Sequence, residues 1–283
     1  MRRKDSFSVT RQQRQTTRRD VNRPKQGSIP LTIIIPAYNE ARTIGNSLEE
    51  LAAYLRRAGL RHTEVIVSVG KSSDDTIGLS RAKAHLFDYF TVLDNGRPAD
   101  KGRNVRLAML AARGEKRVYM DADLATPLHH LAEMNRLLDT YDVVSGERTI
   151  STIHSGHRKF ISLFGNVLVR AILLPGVKDS QCGFKGFRRG AAEQIFTKQR
   201  ILSWGFDMEI LALAKRLGCS MGQMHIADWR EVKGGGGLDR GPVQALHASA
   251  KTFYDLLRVR YYFMTNAYGP MSGRGRSQAD KEQ

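Results

Sequence analysis

The 283-residue chain reads as an α/β protein, a mostly parallel sheet flanked by helices in one domain. Two observations predict that class. Short β-branched runs recur between residues 29 and 232, and each is followed by apolar residues at helical spacing. One of these runs, Val118-Tyr119-Met120, turns polar at Asp121-Ala122-Asp123, and in open α/β sheets the crevice beyond the strand ends is where ligands bind. A hydrophobic content of 41% is enough for one large core, and a second full domain is not required.

Taken in order, Leu31 to Ile35 is a β-branched run stopped by Pro36, the first buried strand. A loop, Ala37 to Glu40, precedes a helix marked by Ile44, Leu48, Leu51, Ala52 and Leu55. Glu64 to Val69 is the second strand, and Ser73 or Asp74 is expected to cap the next helix. Phe90 to Leu93 is the third strand, followed by the turn signal Asn95-Gly96-Arg97-Pro98 and a helix from Lys101 to Arg113. After the Asp121 strand come a helix through Leu138 and a strand from Asp142 to Ser145. Residues 160–174 are predicted as an apolar helix, and Asp179 to Arg189 as a loop and a short strand pair. Trp204 to Leu217 contains a helix, with Trp204 packed beneath the site, and residues 223–232 read as a late strand. From Pro242 to Met264, Leu246, Ala250, Phe253, Leu257 and Tyr261 trace one helical face, the mark of a docking helix or of one lying on anionic lipid.

Charge narrows the partners. The formal net charge is +17, which calls for an anionic partner such as nucleic acid, acidic lipid or a phosphorylated substrate. Residues 1–28 carry nine basic residues against Asp5 and Asp20 and almost nothing apolar, the composition of a tail that does not order itself. Two cysteines, Cys182 and Cys219, make neither a disulfide framework nor a metal cluster, so a reducing cytoplasm is expected, with Cys182 as a small buried residue. No apolar run approaches the ~20 residues of a membrane span, and no signal peptide is expected.

Asp121 and Asp123 point the same way along an extended segment, with small Ala122 between them. Such a pair suits a hard divalent cation whose other positions go to water and phosphate oxygens. On this short pattern alone, a helix cap at Asp123 and a solvated loop acid at Asp121 serve equally well.

Six segments in order, IIIPAYNEARTI, KGRNVRLAMLAARG, MDADLATP, VVSGERT, DSQCGFKGFRR and WGFDMEILALAKRLG, together resemble the inverting GT-A glycosyltransferases of family 2. Within that family the similarity is greatest to the dolichyl-phosphate and other polyprenyl-phosphate sugar transferases, and it covers residues 29–232. The resemblance implies that Pro36, Ala37, Tyr38 and Glu40 line the nucleotide, that Lys101 lies near its phosphates, and that Asp121 and Asp123, with Ala122 between them in the donor site, hold Mg2+ or Mn2+. It assigns Arg148 and Arg158 to the acceptor phosphate, and Asp179 as catalytic base with Asp207 as runner-up. A phosphate acceptor is already ionised near neutral pH, so Asp179 has less deprotonation to do and positions instead.

Two departures stand out. Where the family reads VVDDGS after the second strand, this chain has Ser68-Val69-Gly70-Lys71-Ser72, which removes the two acids that contact base and ribose and leaves UDP- and GDP-hexose open. Many polyprenyl-phosphate transferases also carry C-terminal transmembrane helices, and none is expected here. The implied organisation is a basic tail (1–28), a GT-A domain (29–233), a flexible Gly-rich loop (234–241), a C-terminal amphipathic helix (242–268) and a polar tail (269–283). The implied function is metal-dependent transfer of a hexose from a nucleoside-diphosphate sugar to polyprenyl phosphate. It would take place at the cytoplasmic membrane face, reached through the basic tail and the C-terminal helix; nucleic acid is not expected as a partner. The alternatives are a soluble or polysaccharide acceptor, or an inactive GT-A domain serving as a binding module.

Overall fold

Strand β1 (Leu31–Ala37) is buried along its whole length and is an interior strand of the sheet. The computed structural model describes residues 29–60, 62–97, 100–148, 173–230 and 242–271, with side chains excluded at 242–249. Its further elements are α1 (Ile44–Arg57), β2 (Thr63–Val69), α2 (Thr76–Ala82), β3 (Tyr89–Asp94), α3 (Lys101–Ala111), β4 (Lys116–Tyr119) and α4 (His130–Leu137). Beyond these come β5 (Val143–Arg148), β6 (Lys185–Arg188), α5 (Arg189–Lys198), α6 (Phe206–Arg216), β7 (Met221–Ile226) and α7 (Pro242–Met264).

These strands form one seven-stranded sheet in the order β3-β2-β1-β4-β6-β5-β7. Every neighbouring pair is parallel except the two that β6 makes, antiparallel to β4 and to β5. Alternate side chains of the central strands enter two separate cores. Ile34, Ile66 and Tyr119 pack with α3, α5 and α6, whereas Ile33, Ile35, Val65, Val67 and Val118 pack with α1 and α4. A sheet covered on both faces buries both residue sets, which is why these strands are continuously apolar.

Strand order reverses between β1 and β4, so the gap past their carboxyl ends is a topological switch point. Pro36 helps to open it. β1 pairs with β4 as far as Tyr119, and Met120 N–H still donates to the Ile34 carbonyl at 3.0 Å. Two residues on, Pro36 has no N–H to continue that ladder, and β4 leaves β1 there.

The antiparallel β6 was expected as one of a strand pair; it is a single strand, and it decides the site. Because it runs opposite to its neighbours, its beginning lies beside their ends, with Lys185 in register with both Tyr119 and Ser145. The loop before it, residues 179–184, therefore arrives at the same edge as Asp121 and Arg148.

Four other expectations need correction. The late strand ends at Ile226, short of 232, and α5 was not anticipated. Asp75, not Ser73 or Asp74, is the N-cap of α2, its carboxylate accepting from Gly78 N–H at 3.2 Å. On α7, Phe253, Leu257 and Tyr261 are exposed, and the face that docks carries Asp255, Leu256 and Val259. Asp255 accepts from the Ser203 hydroxyl at 2.7 Å and lies so close to Gly205 that a Cβ there would fall 2.4 Å from its oxygen. A buried acid on the docking face is what hid it from an apolar-periodicity reading. Residues 1–28, the glycine run 234–237, Arg158 and most of the predicted 160–174 helix lie outside the described residues.

Glu209 on α6 ties the C-terminal segment to the domain. Its carboxylate accepts from Arg200 N–H (2.9 Å), Ile201 N–H (2.8 Å) and the Tyr268 hydroxyl (2.7 Å). Burial nevertheless pushes its carboxyl up to about 7 from an ordinary 4.5. A group raised on folding contributes stability below its unfolded value that is lost as pH rises through the folded one. Between pH 4.5 and about 7 this carboxyl is expected to cost the fold on the order of 3 kcal/mol. Urea unfolding at pH 5 and pH 7.5 should show the wild type losing more stability over that interval than Glu209→Gln; equal losses would mean the carboxyl is ionised throughout.

Candidate active site

The site forms where β1, β4 and β5 end and β6 begins. Asp121 and Asp123 follow β4 in a tight turn, closed by Leu124 N–H donating to the Asp121 carbonyl at 3.2 Å, with Leu124 in the left-handed region at φ 53°. A bulky residue there is strained by roughly 1 kcal/mol, which the surrounding loop must hold. Asp123 accepts from Ala125 N–H at 3.1 Å. Its carboxyl is raised first by burial and then by the neighbouring charge of Asp121. Ala122 between them is buried.

Lys101, the first residue of α3, reaches across to Asp121 with Nζ 2.5 Å from Oδ1. Burial opposes its charge, but Asp121 and then Asp207 outweigh that and hold the ammonium above its ordinary value. Gly102 beside it allows the approach: a Cβ there would lie 2.7 Å from Phe206 Cβ and 2.8 Å from the Leu202 carbonyl oxygen. Trp204, expected beneath the site, is 58% exposed instead, with Lys101 Nζ 5.2 Å from its ring centre. That ring stands at the mouth of the crevice.

From the β6 side, Gly183 meets Asp121 directly, and a Cβ on it would lie 2.0 Å from Oδ2. Only glycine leaves room for that carboxylate. Farther along, Asp179 receives Arg148 Nε at 2.7 Å, Arg148 Nη2 at 3.2 Å, Arg148 N–H at 3.3 Å and Gln181 N–H at 3.0 Å. Burial raises this carboxyl, but the Arg148 fork more than reverses that and holds it below the usual range. Arg148 also lies 5.4 Å from the Trp229 ring. The two residues assigned separate roles, base and phosphate ligand, are one ion pair.

Asp207 is not at the crevice surface. It is 2% exposed and accepts from Lys185 Nζ at 2.5 Å and from the Tyr119 hydroxyl. Lys185, fully buried, also donates to the Cys182 carbonyl. Asp207 thus meets Lys185, whose other bond is to the loop that carries Gly183.

On the β1 side, Pro36 and Ala37 are buried, Tyr38 is exposed, and Asn39 takes a left-handed φ of 54°. Glu40 is raised by burial, against a hydrogen bond from Thr43, and further by Asp123 and Asp121, which places it within their field. Its N–H donates to the Thr76 hydroxyl at 2.8 Å, and Asp74 accepts from Ala41 N–H at 3.0 Å, so the loops after β1 and β2 are laced together. Where the family's two acids are missing, Val69 is fully buried and Gly70 N–H bonds the Ala37 carbonyl at 3.1 Å. In their place the next two side chains are Lys71 and Ser72, the latter accepting from Asn39 N–H at 3.1 Å.

The family model described as glycosyl transferase family 2 matches residues 32–196, more than half of the chain. The chain belongs to glycosyl transferase family 2. This family 2 glycosyltransferase is 31% identical over 225 residues to the dolichyl-phosphate beta-glucosyltransferase of Drosophila melanogaster, covering 73% of this chain and 69% of that one. It is 28% identical to the dolichyl-phosphate beta-glucosyltransferase ALG5D of Trichomonas vaginalis, over 84% and 75% of the two chains. Glycosyltransferase AglD of Haloferax volcanii is 33% identical, but the match spans only 34% of that longer protein. Among solved structures, glucosyl-3-phosphoglycerate synthase from Mycobacterium tuberculosis, in complex with Mn2+, uridine diphosphate and phosphoglyceric acid, superposes with a TM-score of 0.59 at 19% identity over 84% of both chains. That likeness is one of fold, the GT-A arrangement expected from the six segments. Sequence reasoning gave no role to Lys185, Gly183 and Trp229; a lysine between the two phenylalanines Phe184 and Phe187 was the available signal for the first.

Proposed function

We propose that the protein transfers a hexose, with inversion, from a nucleoside-diphosphate sugar to a polyprenyl phosphate of the dolichyl type, with a divalent cation held by Asp121 and Asp123. The observation that carries this is the meeting of two ends: paired carboxylates with Lys101 on the donor side, and the Arg148–Asp179 pair on the acceptor side. Pro36, Ala37, Tyr38, Glu40 and Ala122 complete the donor wall. The names of the relatives support a dolichyl-phosphate acceptor.

The donor set suits a hard divalent ion. Asp121, Asp123 and the nearby Glu40 are all oxygen ligands, and the shifts of Asp123 and Glu40 reflect, after burial, carboxylates repelling one another, which a cation between them would relieve. Bound there, Mg2+ or Mn2+ would neutralise charge developing on the departing diphosphate. Lys101 serves the same charge from the other side of Asp121.

Asp179 bears on the acceptor. Four donors hold its carboxylate ionised and low, which makes it a poor base for a sugar hydroxyl. A phosphate monoester, whose second pKa is about 6, needs no such base. Asp179 therefore fixes the Arg148 guanidinium through Nε and Nη2, and the remaining N–H donors of that guanidinium suit a phosphate. Arg158 is assigned to the same phosphate by resemblance.

α7 supports delivery to a lipid surface, the inner face of the membrane in this reading. Phe253, Tyr254, Leu257, Tyr261 and Met264 are exposed, with Lys251 and Arg260 beside them, the composition of an interfacial helix. No helix among the described residues is long and apolar enough to cross a membrane. The experiment is transfer from labelled UDP-glucose and, separately, GDP-mannose to polyprenyl phosphate in anionic vesicles, with Mg2+, Mn2+ or EDTA. We expect lipid-linked sugar from one donor and none with EDTA. Transfer to a soluble sugar but not to the lipid would refute the acceptor, and no transfer from either donor would refute the enzyme as described.

A further inference from the structure

A second cluster of ligand-bearing side chains stands apart from the donor carboxylates. His129 and His130 open α4, and Asp228 follows β7; one Nε2 or carboxylate oxygen from each lies within 4.8 Å of the others. His130 Nε2 is 2.6 Å from Asp228 Oδ1, and His129 Nε2 is 3.5 Å from Oδ2. Two imidazoles adjacent in sequence, their ring centres 4.2 Å apart, thus converge on the two oxygens of one carboxylate. Just beside them the Arg230 N–H donates to the Ala125 carbonyl at 2.9 Å, which fixes the two segments against each other.

We propose that His129, His130 and Asp228 form a binding site for a transition-metal ion of the Zn2+ class. The donor set decides the class. Two imidazole nitrogens and one carboxylate oxygen are ligands for Zn2+, Co2+ or Ni2+, whereas Mg2+ and Mn2+ prefer all-oxygen sites such as Asp121 and Asp123. Tetrahedral coordination at roughly 2.0–2.1 Å puts ligand atoms about 3.3 Å apart, so a small opening of the His130–Asp228 contact makes room for the ion. Three protein ligands leave the fourth position to water.

The site has a mechanical consequence. Asp228 immediately precedes Trp229, whose ring faces the Arg148 guanidinium. An ion there clamps the segment after β7 to the start of α4 and holds Trp229 against the acceptor-side ion pair. It is a regulatory or stabilising position, separate from the donor cation.

The test uses the full chain without a polyhistidine tag, stripped of metal, titrated with Zn2+ by calorimetry and with Co2+ by visible absorption. We expect one Zn2+ per chain outside the donor site and an intense tetrahedral Co2+ spectrum. His129→Ala and Asp228→Asn alter exposed side chains, 63% and 48% open, so neither threatens the fold. Each should weaken Zn2+ at least ~10-fold, while Asp123→Ala leaves it bound. Absence of binding, binding unchanged by both variants, or binding lost only in Asp123→Ala would each overturn the assignment.

Discussion

Asp123→Ala is expected to lower glycosyl transfer by about 10³-fold, some 4 kcal/mol of transition-state stabilisation, while leaving the fold as stable as before or slightly more so. The two halves of that expectation have one cause. Asp123 is half-buried beside Asp121, and both desolvation and that neighbour oppose its charge in the folded protein. Its carboxylate bonds locally, accepting from Ala125 N–H. Removing it relieves repulsion, and only the ability to hold a cation against a diphosphate is lost. Steady-state rates with the active donor, together with a thermal melt, check both halves. A variant of unchanged activity would show that the acid caps the turn and nothing more, the reading that the short D-x-D pattern left open.

The second large effect concerns stability. Lys185→Met strands the Asp207 carboxylate in the core with the Tyr119 hydroxyl as its remaining hydrogen-bond donor among the described residues, and it should cost about 3–5 kcal/mol in urea unfolding. Lys185→Met with Asp207→Asn should recover much of that, because a neutral pair keeps the Tyr119 hydrogen bond and leaves no buried charge. A single-variant loss under about 1 kcal/mol would mean that the pair is not a buried ion pair in the native state. The double variant separates two roles. If Lys185 and Asp207 only hold the loop before β6, a refolded double variant should keep most of its activity.

Much of the site was legible in the chain because its donor side is local. Pro36, Lys101, Asp121 and Asp123 each sit at the boundary of a strand or helix, and such boundaries announce themselves through β-branched runs, helix starts and abrupt polarity. The proposed nucleotide wall, cation ligands and lysine are therefore implied by the resemblance of six segments, with the D-x-D spacing beside it. Less legible were side chains whose meaning depends on a partner far along the sequence. The resemblance made Asp207 in WGFDME the runner-up base near the acceptor, yet Lys185, 22 residues away, holds it in the core. The Phe253, Leu257 and Tyr261 face of α7 looked like the docking face, yet Asp255 carries the docking contacts because Ser203 and Gly205 are there to receive it.

The sequence by itself determined the class, the strand and helix order of the first 150 residues, the switch-point acids and the family. It did so because hydrophobic periodicity and strand-end chemistry are written within a few residues of one another. Only the tertiary structure decided that β6 runs against its neighbours. Direction within a sheet is set by which backbones pair, and no local pattern records that. Reversing that one strand brings Gly183 to Asp121 and Asp179 to Arg148, and so gathers the proposed donor and acceptor residues at one edge of the sheet.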